Sequence, residues 1–295
     1  MSVLTNPFVY LHAIGEAIVS IYPFIVKTTP LDIPLQTAIR LGTYSLISIV
    51  LSNWSVLLSV PFWQLFGIAI VNIVHILTSY YGFHYLNPSL AQSIFYIFPF
   101  LNLVFNIVFR GESIAYTKFV MLIPILLTVY FIYRQNEIEP YTESGDVKPT
   151  QNTHLGIPMI IGATITESLL YIFIKMSSIG VNPWNNVVAT YGLAGIMYVA
   201  YWLQKNSHTL KKTWEEKKVQ ISKLVLLNIL IGSFGYGLRF AAITKVPSVV
   251  YSGLNYIGIF MAVVYGLYFR VETMSEAKIG GLIALFVWLL AFQFI

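Results

Sequence analysis

The sequence predicts an all-α membrane protein whose ten transmembrane helices form two inverted repeats of five helices. Three observations support this fold class. Hydrophobic residues make up 57% of the 295 positions, charged residues only 10%, and the mean hydropathy is +0.74, whereas soluble domains carry about a quarter charged residues. The apolar residues form runs of about 20, the length that a helix needs to cross the bilayer. These runs fall into two groups of five that flank a polar stretch.

We place the spans from the apolar runs and from the Pro, Gly and Asn residues between them. In lipid, backbone amides must be satisfied within a helix or a closed barrel, and long apolar runs favour helices over the alternating pattern of a barrel. The predicted spans of the first half are 7–26, 33–51, 62–85, 89–109 and 115–133. Those of the second half are 155–176, 184–203, 224–243, 248–269 and 277–295.

The polar stretch 135–154 is predicted to be a linker between a first repeat, 1–134, and a second repeat, 155–295. A basic connection, 205–223, contains Trp214 and predicts an amphipathic segment on the membrane surface. Most of the net charge of +5 comes from this connection and from helix ends, so nucleic acid is not an expected partner. The first span lacks a basic leading region, which favours a permanent helix over a cleaved signal peptide.

A short motif recurs between the halves. The segment 109–112 (Phe-Arg-Gly-Glu), followed by Lys118, recurs 160 positions later as 269–272 (Phe-Arg-Val-Glu), followed by Lys278. With five spans in each half, the two halves enter the membrane from opposite sides. Inverted repeats of this kind are common in transporters, whose substrate site lies near the midplane between the halves.

Glu16 and Glu167 are the sharpest candidates for function. Each lies about halfway along a predicted span. Pro7 precedes Glu16 as Pro158 precedes Glu167, and the two prolines, like the two glutamates, are 151 positions apart. A carboxylate at the bilayer centre costs at least about 2.5 kcal/mol, so it faces a cavity or a partner. Desolvation favours its protonated form, and such a group can exchange a proton for a substrate cation. The alternative is a structural glutamate that bonds a neighbouring helix or pairs with Arg40.

Three other polar residues lie inside apolar spans. Arg40, about two turns inside the second span, can balance Glu16, bind an anionic substrate or extend toward the headgroups. His75 lies mid-span and is either a proton relay or a hydrogen-bonded core residue. Arg239, near the end of the eighth span, is expected to snorkel to the membrane surface.

Several short segments, together with Arg40, carry a resemblance to a known family. They are 87–91 (Asn-Pro-Ser-Leu-Ala), 98–100 (Phe-Pro-Phe) and 109–113 (Phe-Arg-Gly-Glu-Ser) in the first half, and 241–248 (Ala-Ala-Ile-Thr-Lys-Val-Pro-Ser) and 269–272 in the second. In these segments the chain resembles the drug/metabolite transporter superfamily, specifically its ten-helix EamA-like members. Val271 stands where the second motif usually has glycine, a departure that concerns the turn.

The resemblance implies that Tyr96, Tyr171 and Tyr256 lie on helices that line the central cavity. Aromatic faces there suit organic cations or planar metabolites. Glu167, with Lys175 about two turns later, is also similar to the first helix of the small multidrug resistance proteins, in which the glutamate binds both protons and cationic drugs.

The leading hypothesis is a secondary transporter of a small metabolite or drug-like solute that works by alternating access with proton coupling. Its predicted substrate and proton site comprises Glu16, Arg40, His75, Tyr96, Glu167, Tyr171 and Tyr256. The alternatives are a nucleotide-sugar or organic-anion exchanger that uses Arg40 and Arg239, and a non-transporting receptor or scaffold.

The expected partners are the solute, protons and the lipid bilayer, in a plasma or inner membrane rather than an organelle membrane. One chain of ten helices can hold a complete site, so a monomer suffices, and a homodimer stays open. Neither a cofactor nor a metal is expected. No enzymatic activity is expected either, because no His-Glu-x-x-His motif, paired acidic metal motif or recognisable nucleophile beside a histidine occurs.

Overall fold

The structure, a computed structural model, describes residues 6–111, 116–138, 152–176, 183–243, 245–246 and 248–294. Within these ranges the regular structure is entirely helical, which confirms the all-α prediction for this part of the chain. The helices of the first half are α1 (Pro7–Val19), α2 (Tyr22–Thr28), α3 (Ile33–Leu51), α4 (Trp54–Leu57), α5 (Phe62–Tyr85), α6 (Pro88–Phe95), α7 (Phe98–Arg110), α8 (Tyr116–Val120) and α9 (Leu122–Ile138).

The second half continues the helical pattern and adds one π-helical segment, Asn228–Ser233, between two α-helices. Its α-helices are α10 (Thr153–Met176), α11 (Pro183–Asn206), α12 (Leu210–Leu227), α13 (Phe234–Ala242), α14 (Ser248–Leu254), α15 (Ile257–Phe269) and α16 (Glu276–Phe294).

Six helical stretches in the described residues are long and apolar enough to cross a membrane. Two further apolar helices, Leu122–Gln135 and Ile257–Phe269, are shorter. The ten-span arrangement therefore stays a prediction, although helices overlie all ten predicted ranges. The six long stretches are Pro7–Thr28, Phe62–Tyr85, Pro88–Phe109, Thr153–Ile174, Trp184–Asn206 and Leu210–Ala242.

Most of the basic connection is continuous with the helix of the eighth predicted span, and its place on the membrane surface stays a prediction. It forms the start of α12, which continues through the π-helical segment into α13 as one helical stretch, Leu210–Ala242. The charged side chains of its first turns are exposed: Lys211 and Glu215, 4.0 Å apart, are 91% and 64% exposed. One helical stretch thus has a charged first part, and its apolar second part is the eighth predicted span.

Proline and a short polar side chain start several of the helices. The Asn6 side chain accepts a hydrogen bond from the Phe8 backbone N–H (3.1 Å), and Pro7 follows it as the first helical residue. Asp32 likewise accepts from Leu35 N (3.3 Å) at the start of α3. Such N-caps satisfy donors that a helix leaves free, and proline at the first turn has no N–H to lose.

The main helix contacts join the two halves of the chain. Helix α3 packs along α11, α5 along α10, and α1 along α13. Glycines allow the closest approaches: a methyl group on Gly15 would lie 2.7 Å from the Gly235 carbonyl oxygen, and one on Gly195 would lie 2.5 Å from that of Leu41. The first approach sets α1 directly against α13, and the second sets α11 against α3.

Three apolar helical stretches are interrupted near their middles. The stretch α1–α2 breaks at Ser20–Ile21, α6–α7 at Tyr96–Ile97 and α14–α15 at Asn255–Tyr256. Breaks free backbone groups that a continuous helix would use, and in membrane proteins such groups are tolerated where they are buried in protein or line a cavity. The breaks at Tyr96 and Tyr256 occur 160 positions apart, the spacing of the recurring motif.

The two copies of the recurring motif end their helices differently. Helix α7 ends at Arg110 with Gly111 in the left-handed conformation (φ 67°), whereas α15 ends one residue earlier, with Arg270 left-handed (φ 52°). Val271 occupies the position equivalent to Gly111, and a β-branched residue is disfavoured at positive φ. The turn has therefore moved to the preceding residue.

Candidate functional site: a charge cluster between two chambers

Glu16 lies at the centre of the helix bundle and is buried. The Tyr96 hydroxyl donates a hydrogen bond to its Oε1 atom (2.7 Å), and the Arg239 Nε atom lies 2.9 Å from Oε2. Tyr96 also lies 2.8 Å from the hydroxyl of Ser20, at the break between α1 and α2. The break at Tyr96 thus brings a hydroxyl to this carboxylate, and α13 brings a guanidinium to it.

Arg239 joins the two predicted glutamates. Besides Glu16, its guanidinium contacts Glu167, to which the NH2 group donates a hydrogen bond of 3.1 Å. Arg239 is only 6% exposed, so the prediction that it snorkels to the surface is wrong. Two carboxylates inside an apolar bundle need a compensating charge, and α13 supplies it because Gly235 lets this helix approach α1 closely.

His75 on α5 completes the cluster. Its Nε2 atom lies 3.3 Å from Glu167 Oε2, and its Nδ1 atom lies 3.1 Å from the Ala163 carbonyl oxygen and 3.4 Å from the Thr166 hydroxyl. A carbonyl oxygen only accepts, so Nδ1 carries a proton. With Nδ1 protonated, the Nε2 contact to Glu167 is favourable only when a second proton lies between the two atoms. The geometry thus allows the two side chains to share one proton.

Arg40 has a different environment, made of tyrosines. Its guanidinium carbon lies 4.3 Å from the ring centre of Tyr22, 5.3 Å from that of Tyr80 and 5.4 Å from that of Tyr236. One NH2 group donates a 2.6 Å hydrogen bond to the Tyr236 hydroxyl. Tyr22 in turn contacts the hydroxyl of Tyr44. Glu16 thus pairs with Arg239 and not with Arg40, the partner considered from the sequence.

Two chambers, each of about 30 Å³, flank the charge cluster. Both are lined by Tyr236 and Arg239, so the cluster forms the partition between them. The first chamber is otherwise lined by residues that include Glu16, Tyr22, Arg40, His75, Gln92 and Tyr96. The second is otherwise lined by residues that include Asn72, Phe98, Glu167, Tyr171, Tyr191 and Tyr251.

The chambers follow one another along the bundle axis. On α5, Asn72 lines the second chamber, and His75 and Ser79, further along the helix, line the first. The order is reversed across α6 and α7, where Gln92 lines the first chamber and Phe98 the second. The contact between His75 and Glu167 consequently crosses the partition, from a residue of one chamber to a residue of the other.

Two predicted tyrosines lie further from the charges. Tyr171 lines the second chamber and stacks on Tyr251, with ring centres 5.3 Å apart. Tyr256 is buried in a separate apolar cluster with Tyr96 and Phe98, and it is not among the lining residues of either chamber. Within the described residues, no group of three or more His, Asp or Glu side chains is arranged to hold a metal ion.

A second group of buried charges lies at the start of α6, about one helical turn before Gln92, which lines the first chamber. The Glu272 carboxylate accepts hydrogen bonds from the backbone N–H (2.9 Å) and hydroxyl (2.6 Å) of Ser89, and Lys278 donates to it at 3.1 Å. Lys27 donates to the carbonyl oxygens of His84 (2.7 Å) and Leu86 (3.0 Å). These contacts tie the start of α6 and the end of α2 to their neighbours. We call Ser89, Glu272 and Lys278 the end clasp.

Some predicted positions lie outside the described residues. They are the first-half counterparts of the end clasp, at Glu112 and the side chain of Lys118, and the side chain of Lys175. Sequence analysis assigned Arg239 to a site only in the anion-exchanger alternative, beside Arg40, and did not pair it with the glutamates. The signal was present: two mid-span carboxylates require a cation, and Arg239 is a cation inside an apolar span.

Comparisons with known proteins agree with this architecture. No curated protein matches the sequence. A solved structure described only as "Crystal structure of protein" matches with a TM-score of 0.62 and 13% identity, covering 97% of this chain and 96% of that chain. At this identity the match shows a shared fold alone. Residues 154–292 match the model of the EamA-like transporter family, a family of membrane transporters. This match over the second half supports membership of the drug/metabolite transporter superfamily, and together with the six long apolar helical stretches it supports an integral multi-pass membrane protein.

Proposed function

We propose that the chain is a proton-coupled secondary transporter that moves a small solute by alternating access. The observation that carries the proposal is the pair of chambers separated by the Arg239 cluster. A transporter of this kind must expose one site to each side of the membrane in turn, which requires a central partition and two routes to it. We propose that each chamber belongs to the route from one side of the membrane.

The proposed topology has ten spans in two inverted repeats of five. Support comes from the helices over all ten predicted ranges and from the equivalent breaks at Tyr96 and Tyr256. The contacts of α3 with α11, α5 with α10 and α1 with α13 each join one half to the other. Rocking of the halves against each other would therefore slide these three pairs and open one chamber while closing the other.

In the proposed mechanism the proton acts through Arg239. When Glu167 holds a proton, its attraction for Arg239 weakens and the guanidinium is held mainly by Glu16. When the proton leaves, Arg239 bridges both carboxylates and draws α1, α10 and α13 together. The His75–Glu167 contact across the partition gives the proton a route from one chamber to the other.

We place the protein in a plasma or inner membrane and propose that one chain contains the whole transport path. No enzymatic step is assigned to it. The fixed charges of both carboxylates and both arginines lie in the bundle centre, where a passive receptor or scaffold has no need of them and where each is costly to bury.

The proposal is tested by solute uptake into proteoliposomes under an imposed pH gradient, with a panel of organic acids, amino acids, organic cations and nucleotide sugars. Wild type is expected to show uptake that follows the gradient. Glu167→Gln is expected to lose gradient-driven uptake, because glutamine cannot exchange a proton. Glu215→Gln, an exposed glutamate on α12, is the matched control and is expected to retain it.

Two results would contradict the proposal. Uptake that ignores both the pH gradient and Glu167→Gln would indicate an exchanger that uses Arg40 and Arg239 without protons. Absence of uptake for every solute class, with protein shown to be folded and inserted, would favour a receptor or scaffold.

A further inference from the structure

We infer that Arg40 binds the negative group of the solute, and that the solute is an organic monoanion carried together with one proton. The role of the proton rests on the proposed transport function. The anion site itself rests on the surroundings of Arg40 and can be tested by binding alone.

Arg40 is a buried cation without a carboxylate partner. It is 2% exposed, and among the described residues no Asp or Glu oxygen forms an ion pair with it. Its contacts are tyrosine rings and the Tyr236 hydroxyl, and its Nε–H group has no hydrogen-bond partner. Aromatic faces attract a cation but leave its charge in place. A buried guanidinium with a free donor therefore provides a ready site for an anion.

The free charge faces the first chamber. Arg40 lines this chamber together with Glu16, His75 and Gln92, so an anion there would lie on the same side of the partition as the proton-bearing histidine. The chamber volume of about 30 Å³ corresponds to about one water molecule. In this closed form it accommodates no more than an anionic group, and the rest of an organic solute enters only when the halves separate.

Both carboxylates of the site already contact a guanidinium, which argues against a cationic solute. Both Glu16 and Glu167 pair with Arg239. A cation would have to displace this arginine from one of them, whereas an anion displaces nothing at Arg40. The pairing therefore favours an anion at Arg40 over the exchange of a proton for a cation at the glutamates.

The charge balance links the anion to a proton. Arg40 and Arg239 together carry two positive charges, and Glu16 carries one negative charge. The His75–Glu167 pair is neutral when it holds its proton and carries one negative charge when it does not. The described site is thus +1 with the proton and neutral without it, so protonation creates the charge that a monoanion cancels. The other titratable side chains around the pair are His12, Tyr96, Tyr171, Tyr191, Tyr236 and Tyr251.

The test is calorimetric binding of benzoate, an aromatic monocarboxylate, to the full-length protein in lipid nanodiscs. Wild type is expected to bind benzoate more tightly as the pH falls, by about tenfold per pH unit above the titration of the pair, because one proton binds with each anion. Arg40→Gln is expected to weaken binding at least about tenfold, the typical scale of a buried charge-assisted contact. Lys211→Gln, at an exposed lysine on α12, is expected to bind as wild type does.

Glu167→Gln separates the proton from the anion. Glutamine resembles the protonated glutamate, so this variant is expected to bind benzoate with an affinity that no longer depends on pH. Arg40→Lys, which keeps the charge, is expected to bind more weakly than wild type but more tightly than Arg40→Gln. Wild-type pH dependence needs no variant, so it stays informative if Arg40→Gln does not fold.

Three results would overturn the inference: no benzoate binding to wild type, tighter binding of benzylamine than of benzoate, or binding of chloride without benzoate. Loss of transport with benzoate binding intact would instead contradict the proposed function and leave the anion site in place. Transport of a cation by Arg40→Gln would support the transporter while removing Arg40 from solute recognition.

Discussion

At the residue scale, Arg239 is the residue on which the central site depends most. It is buried between two carboxylates from different helices, and His75 lies beyond the second of them. Removing one member of a buried ion pair leaves the other charge uncompensated, which costs about 3–5 kcal/mol. Two carboxylates lose their partner when Arg239 is replaced.

We expect Arg239→Gln to lower the free energy of unfolding by at least about 3 kcal/mol. Arg239→Lys should lower it by less because lysine keeps the positive charge. It should still lower it, because one ammonium group cannot reach both carboxylates in the same geometry. Thermal unfolding of the purified protein measures both effects. The control is Lys211→Gln, which removes an exposed ion pair worth about 1 kcal/mol or less. An Arg239→Gln protein as stable as wild type would mean that water, and not the arginine, compensates the glutamates.

The sequence was informative about these residues one at a time and not about their pairing. Glu16, Glu167 and His75 stand out because polar groups inside apolar runs are costly. Their partner could not be assigned, since Arg40 and Arg239 both lie in apolar spans and only the helix contacts decide between them. The π-helical segment and Gly235, just before Arg239, set its position through the backbone.

At the element scale, the contact between α1 and α13 determines whether the charge cluster can form. A methyl group on Gly15 would lie 2.7 Å from the Gly235 carbonyl oxygen and 3.1 Å from Arg239 Cγ. The site thus needs glycine next to Glu16 so that two helix backbones can touch.

We expect Gly15→Ala to destabilise the protein by about 1–3 kcal/mol, because overpacking forces the helices apart, and to reduce transport by separating Glu16 from Arg239. Gly67→Ala is the matched control: nothing lies within 4 Å of its added methyl group, so the loss of backbone freedom should stabilise helix α5 by about 0.5–1 kcal/mol. Thermal unfolding and uptake are measured on both variants. Equal stability and equal uptake of the two variants would show that α1 and α13 accommodate the methyl group without loss of stability.

The apolar runs located the helices well, because length and hydropathy are what the bilayer selects. The interruptions at Tyr96 and Tyr256 were not predicted. A proline, Pro99, follows the interruption at Tyr96. Nothing in the sequence around Tyr256 distinguishes that interruption from a continuous helix. The shifted turn at Arg270 was not predicted either, although Val271 indicated that the turn would differ from that at Gly111.

At the scale of the whole molecule, the end clasp holds the start of α6 about one helical turn before Gln92, which lines the first chamber. Glu272 and Lys278 are buried as a pair, and Ser89 at the start of α6 binds the carboxylate twice. The clasp joins α6 of the first half to the segment before α16 of the second half. Opening of this chamber to solvent therefore requires its contacts to break.

We expect Glu272→Gln to shift the protein toward a form whose first chamber is open. The chain has no cysteine, so Ser79→Cys can report access to the first chamber and Thr190→Cys access to the second. With Glu272→Gln added, a water-soluble thiol reagent should label Cys at position 79 at least about fivefold faster, the effect of about 1 kcal/mol on an opening equilibrium. Labelling at position 190 should not rise. Unchanged labelling at position 79 would show that other contacts hold this end closed.

The whole-molecule arrangement was only partly predictable. The shared motif suggested two related halves, and the family match covers residues 154–292 of the second half. The chambers could not be predicted, because they arise where side chains from both halves fail to fill the space between them.

The position of Arg239 in the walls of both chambers also bears on electrical leakage. An ion that moved straight from one chamber to the other would have to pass a guanidinium held by two carboxylates from opposite sides. A continuous file of water cannot form through such a plug while it stays in place. In the described form the protein should thus conduct no measurable single-channel current, and a membrane that contains many copies would keep its voltage.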